Sequence, residues 1–139
     1  MPGALRGRGE GRCLITALHH YTCADHGGPG IASSREIWPN RHPYLRTPLV
    51  WLTDLAEPDR WALGLTSAYL SCDRTAVRVS VALRSEIVPW HWWAHRERVP
   101  RVIRELLEDG AMPAHWWVCE SPLSVLSMSD VAVFPRSRA

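Results

Sequence analysis

From Val77 to Val81 the chain alternates strictly between apolar and polar residues: Val77, Val79 and Val81 fall on one face, and Arg78 and Ser80 on the other. Such a segment is a β-strand with one dry and one wet face, so the chain must build a sheet and something to cover it. A second apolar run, Pro48-Leu49-Val50-Trp51-Leu52-Thr53, is bounded by turn residues and suits a buried central strand. Leu14 to Thr22 reads as a first strand, stopped by Asp25-His26-Gly27-Gly28-Pro29-Gly30. A short helical turn over Ile31–Ile37 and a Pro-rich loop over 39–48 follow. Glu57-Pro58-Asp59-Arg60-Trp61 has the acids and early Pro of a helix start, with Asp54 as a further capping candidate.

Val99, Val102, Ile103, Leu106 and Leu107 recur at helical spacing, and Gly110 supplies a stop. Two more strands are expected at His115–Glu120 and Val131–Phe134. Strands and helices in this order predict an α+β domain, a small split mixed β-sheet with flanking helices. A length of 139 residues fits one core, with residues 1–12 as a Gly/Arg-rich tail and 13–139 as the domain. Hydrophobic residues at 46% and charged residues at 22% give the balance of a chain that folds without a staple.

Composition also narrows the partners. All sixteen basic residues are Arg and the formal net charge is only +2, so nothing in the charge demands nucleic acid. Arg35, Arg41 and Arg46 surround one loop and could fork onto phosphate oxygens. Cys13, Cys23, Cys72 and Cys119 are widely and irregularly spaced, and Met1–Arg12 lacks the apolar stretch of a signal peptide. No segment reaches the length of a membrane span, so a cytoplasmic protein with reduced thiols and no membrane partner is expected. Cys23 and His26, with His19 or His20 nearby, offer one short-spaced ligand pair where zinc usually draws on two, and no metal is expected. The Trp clusters at Trp90, Trp92, Trp93 and at Trp116, Trp117 are core corners or stacking walls for a flat ligand.

Three short patterns, taken in order, resemble the ADP-ribosyltransferase superfamily, in particular its poly(ADP-ribose)-polymerase-like and RNA 2′-phosphotransferase-like branch. Leu18-His19-His20-Tyr21-Thr22 is similar to the opening strand whose His and hydroxyl residue hold the nicotinamide end and a ribose of NAD. Residue by residue, His20 takes the His position and Thr22 that of the hydroxyl. Leu49-Val50-Trp51-Leu52-Thr53-Asp54 resembles the apolar strand ending in a polar turn, after which Trp61 stands where an aromatic residue, usually Tyr, stacks on nicotinamide. Pro113-Ala114-His115-Trp116-Trp117-Val118-Cys119-Glu120 resembles the strand bearing the catalytic Glu. Two registers remain open: the aromatic-aliphatic run places His115 at that position, and the carboxylate itself places Glu120 there. RNA 2′-phosphotransferase-like members use Arg and His in place of the Glu.

The resemblance implies an ADP-ribosyltransferase-like fold and an NAD-dependent transferase that releases nicotinamide. His20, His115 and Glu120 would be its catalytic residues, and His20, Tyr21, Thr22, Thr53, Trp61 and Arg35 would line the NAD cleft. NAD enters as a substrate, and the acceptor could be a protein, a nucleic acid or a small molecule. The alternative is a non-catalytic module on the same fold that binds NAD, ADP-ribose or a partner, as an inhibitor or host-takeover protein would.

Overall fold

The computed structural model describes residues 17–24, 27–57 and 76–131. Within them a six-stranded sheet forms from β1 (Ala17–Thr22), β3 (Val50–Thr53), β4 (Val77–Ala82), β5 (Val88–Pro89), β6 (Trp116–Cys119) and β8 (Ser127–Asp130), in the order β5-β6-β3-β1-β4-β8. A separate two-stranded ribbon pairs β2 (Glu36–Ile37) with β7 (Leu123–Ser124). The helices among the described residues are α1 (Gly27–Ser34), α2 (Trp90–Arg96) and α3 (Arg101–Glu108), with a 3₁₀ turn at Pro113–His115. This is an α+β domain. Every described strand pairing is antiparallel, which replaces the mixed sheet expected from the sequence.

The alternation at Val77–Val81 determines how β1 sits. Leu18 lies opposite Val81, His20 opposite Val79 and Thr22 opposite Val77, so these residues share one face, while His19 and Tyr21 share the other with Ser80 and Arg78. A first core fills the Val face, from Leu18, Val50, Leu52, Val79, Val81 and Cys119, closed by Ile37 and Leu123 of the ribbon. A second core lies against the helices, where Trp90, Trp93, Trp116 and Val118 pack with Leu45 and Leu49. Trp51 meets Trp116 edge-on at 5.8 Å, a favoured quadrupole geometry. The sheet is therefore dry on both sides at its β3–β6 centre.

Several sequence expectations shift once packing is taken into account. The helical stripe near residue 100 is α3 with Val99 just ahead of it, and only Val99, Ile103 and Leu107 of its apolar set reach the second core; Val102 and Leu106 are exposed. The rotation follows from Trp90, which is fully buried and donates its indole N–H to the Glu108 carboxylate at 2.7 Å. Leaving that N–H without a partner would cost about 1–3 kcal/mol, so α3 turns Glu108 inward. A strand at Ser127–Asp130 supplies backbone partners to the edge of β4, while the strand expected at Val131–Phe134 lies, past Val131, outside the described residues. Leu14–Thr16 of the expected first strand, Phe134, and Trp61 with the helix expected to carry it lie outside the described residues.

Gly27-Gly28-Pro29-Gly30, read as a turn, is instead the opening of α1. Pro29 sits in the first turn, where a missing N–H costs nothing. Gly28 donates its backbone N–H to Cys23 O at 2.9 Å, and a Cβ there would stand 2.9 Å from that same carbonyl oxygen. Around Gly30 the space is open. Gly28→Ala is therefore expected to destabilise the fold by about 1–3 kcal/mol, and Gly30→Ala to leave it unchanged or stabilise it by up to about 1 kcal/mol. Urea denaturation of both variants checks this; equal midpoints would contradict the packing of α1 on β1.

Candidate functional site

Three strands meet along one row. His19 of β1 pairs with Thr53 of β3, and Thr53 pairs with Trp116 of β6. Neighbouring strands lie about 4.8 Å apart; Asp54 and His115 lie one residue to one side of that row and His20 one residue to the other, all three on the face opposite to that of Thr53 and Trp116. His20 and His115 are catalytic candidates of the first and third patterns read from the sequence, and Asp54 closes the second.

The tightest polar contact in the region joins Asp54 and His115. Asp54 Oδ1 lies 2.6 Å from His115 Nδ1, and Asp54 Oδ2 accepts the indole N–H of Trp117 at 3.2 Å. The Asp54 backbone N–H adds a longer 3.4 Å bond to His115 O. Position explains the clasp: Asp54 is the first residue past β3 and His115 the last before β6, so the antiparallel pairing brings them face to face. Side chains at both positions keep some solvent access, 20% for Asp54 and 35% for His115.

His20 turns toward β3 and its Nδ1 hydrogen bonds Trp51 O at 2.9 Å. Thr53 is buried, and its hydroxyl accepts the Leu55 N–H at 3.1 Å, shaping the turn that carries Asp54. Tyr21 is buried too, and its hydroxyl donates to the carbonyls of Leu55 and Ala56. Burial pushes the Tyr21 phenol up. Thr22 is packed beneath the start of α1, where a Cβ on Gly27 would meet its hydroxyl. Arg35 is exposed at the end of α1 with a positive φ of 61°, and its backbone carbonyl accepts the Val125 N–H.

Glu120 belongs elsewhere. Its carboxylate accepts the Trp93 indole N–H at 2.7 Å and the Arg96 guanidinium at 3.1 Å, against α2. The structure thus joins His115 to Asp54 with His20 on the same sheet face across the row, buries Thr53 on the opposite face, and holds Glu120 against α2 and Arg35 at the end of α1; Tyr21 and Thr22 are turned inward. Among the described residues no group of three or more His, Cys, Asp or Glu side chains is arranged to hold a metal ion. No helix is long and apolar enough to cross a membrane, among the described residues.

Sequence reasoning gave Asp54 only a strand-ending or helix-capping part and His19 only a place beside a possible zinc pair. The usable signal for both was strand alternation, which sets His19 on the wet face with Arg78 and Ser80. His19 Nδ1 lies 2.9 Å from Ser80 Oγ. Comparison of the chain with protein-family models, curated proteins and solved structures finds no match.

Burial lowers the His19 pKa, the Arg78 charge lowers it further, and the Asp54 charge opposes both. Burial also lowers that of His42. The folded protein therefore binds fewer protons at these groups than the unfolded chain does. Their contribution to stability is complete above the unfolded value of about 6.5 and is lost as pH falls from there toward the lower folded values. His19→Gln, which keeps a hydrogen-bonding group near Ser80, is expected to flatten the decline in urea midpoint below about pH 6.5. A decline as steep as the wild type's would show that His19 is not held neutral by the fold.

Proposed function

We propose that this chain is an NAD-dependent ADP-ribosyltransferase whose cleft opens where β1, β3 and β6 lie side by side. The observation that carries the reading is the single row His19–Thr53–Trp116, which joins the three motif-bearing strands as immediate neighbours. Nothing in the separate patterns required that adjacency, since their order in the chain is compatible with many strand orders.

In this reading the nicotinamide–ribose bond breaks with a positively charged, sugar-centred transition state. A preorganised carboxylate near that charge stabilises it far more than water does. His20 anchors a ribose, and His115 occupies the position the resemblance gives to the catalytic Glu. The engagement of Glu120 by Trp93 and Arg96 favours the His115 register over the Glu120 register. Asp54 supplies its negative charge through His115, whose Nδ1 it holds at 2.6 Å.

One observation favours the alternative of a binding module without turnover: the hydroxyls of Tyr21 and Thr22 are turned inward, leaving fewer groups to grip a ribose. A rise in melting temperature with NAD, unaccompanied by nicotinamide release, would identify that case.

Nicotinamide release from NAD by purified protein tests the main reading. Loss of a positioned proton-transfer group typically costs about 10²-fold or more, so His115→Ala is expected to reduce release by at least that factor. Glu120→Ala is expected to stay within about twofold of wild type, with both variants folded by circular dichroism. No release and no NAD binding by the wild type would overturn the proposal, and loss of activity in Glu120→Ala alone would move the site to the end of β6.

A further inference from the structure

We propose that Asp54 and His115 form a proton-accepting dyad, with His115 Nε2 as the base that takes the proton of a hydroxyl acceptor; the assignment rests on the NAD-transferase reading above. The geometry is that of a carboxylate orienting an imidazole. A carboxylate only accepts hydrogen bonds, so the 2.6 Å contact with Asp54 Oδ1 requires the proton to be on His115 Nδ1. In the neutral ring Nε2 is then the lone-pair nitrogen, and among the described residues no hydrogen bond occupies it.

Two further contacts make Asp54 a fixed support. The Trp117 indole holds Oδ2, and the Asp54 backbone N–H reaches the carbonyl of His115 itself. The carboxylate is thus fastened to His115 and to the residue two positions along β6, while the pair keeps partial solvent access. A carboxylate on Nδ1 both selects the tautomer and stabilises the imidazolium that forms when Nε2 accepts a proton.

The arrangement selects a class of acceptor. A carboxylate or phosphate acceptor carries no proton that must leave, and a base adds nothing to its attack. A hydroxyl does. Its oxygen forms a bond to the anomeric carbon of the ribose while the carbon–nitrogen bond to nicotinamide breaks, and that electron pair leaves with the ring nitrogen, which becomes neutral. The hydroxyl proton passes to His115 Nε2, and the imidazolium later releases it to solvent. Asp54 is a positioning residue in this scheme and His115 the catalytic one.

Methanol serves as the hydroxyl probe. With NAD and methanol, Asp54→Asn is expected to lower kcat for methyl ADP-ribose formation by about 10- to 100-fold while KM for NAD stays within about twofold, since no ligand contact is removed. Long-range ¹⁵N–¹H spectra of His115 supply a readout independent of turnover: the Nδ1–H tautomer in the wild type, shifting toward Nε2–H in Asp54→Asn because the amide can donate to Nδ1. An Nε2–H tautomer in the wild type overturns the dyad, as does a variant that raises KM and keeps kcat. A wild type that shows the Nδ1–H tautomer and consumes no NAD supports the dyad and overturns the transferase reading alone. Should Asp54→Asn fail to fold, the wild-type tautomer decides.

Discussion

Everything else in the domain hangs on the pairing of β3 with β6. Val50, Trp51, Leu52 and Thr53 face Cys119, Val118, Trp117 and Trp116 across the ladder, so every second pair feeds one core and the intervening pairs feed the other. Val50 and Cys119 belong to the core beneath the ribbon; Val118 and Trp116 belong to the core beneath α2 and α3. A slip of one residue would drive indole rings into space occupied by Val and Leu, and no compensating rotation exists. The register is fixed by shape on both faces at once.

That register has a chemical consequence at its open end. Because Thr53 lies opposite Trp116, the next residue outward on each strand brings Asp54 to His115. Strong packing in the ladder thus holds a short, charge-assisted contact at its rim, where a polar pair would otherwise be free to splay. The same logic places Glu120 at the opposite end of β6, on the α2 side, where a Trp and an Arg take it up. His115 and Glu120 are separated by the length of the strand and point to different surroundings, so they cannot serve one cleft together.

Much of the scaffold was legible in the sequence because period-two alternation and short apolar runs depend on local geometry alone. Val77–Ala82 and Val50–Thr53 are strands within two residues of expectation for that reason. What alternation cannot encode is which strands become neighbours, and so the antiparallel sheet and the row through His19, Thr53 and Trp116 emerged only in three dimensions. Gly27-Gly28-Pro29-Gly30 was misread because glycine signals a turn locally, whereas here small residues let α1 approach the Cys23 carbonyl. In the helix carrying Ile103 and Leu107, spacing gave the helix and missed the face, because the demand of the Trp90 indole for a carboxylate is a long-range effect. Asp54 was overlooked for a related reason: its partners are 61 and 63 residues away.

The central claim of the proposed transferase reading is that NAD lies on the sheet face that carries His20 and His115, with Asp54 behind His115. Titration of ¹⁵N-labelled protein with NAD, followed by amide and indole chemical shifts, tests it most directly. The account predicts that the largest changes fall at His20, Thr53, Asp54, His115 and the Trp117 indole, with the Trp92 indole and Glu120 unmoved. Changes concentrated at Glu120 and α2, or in the loop around Trp38 and Tyr44 with the β1–β3–β6 row silent, would contradict it.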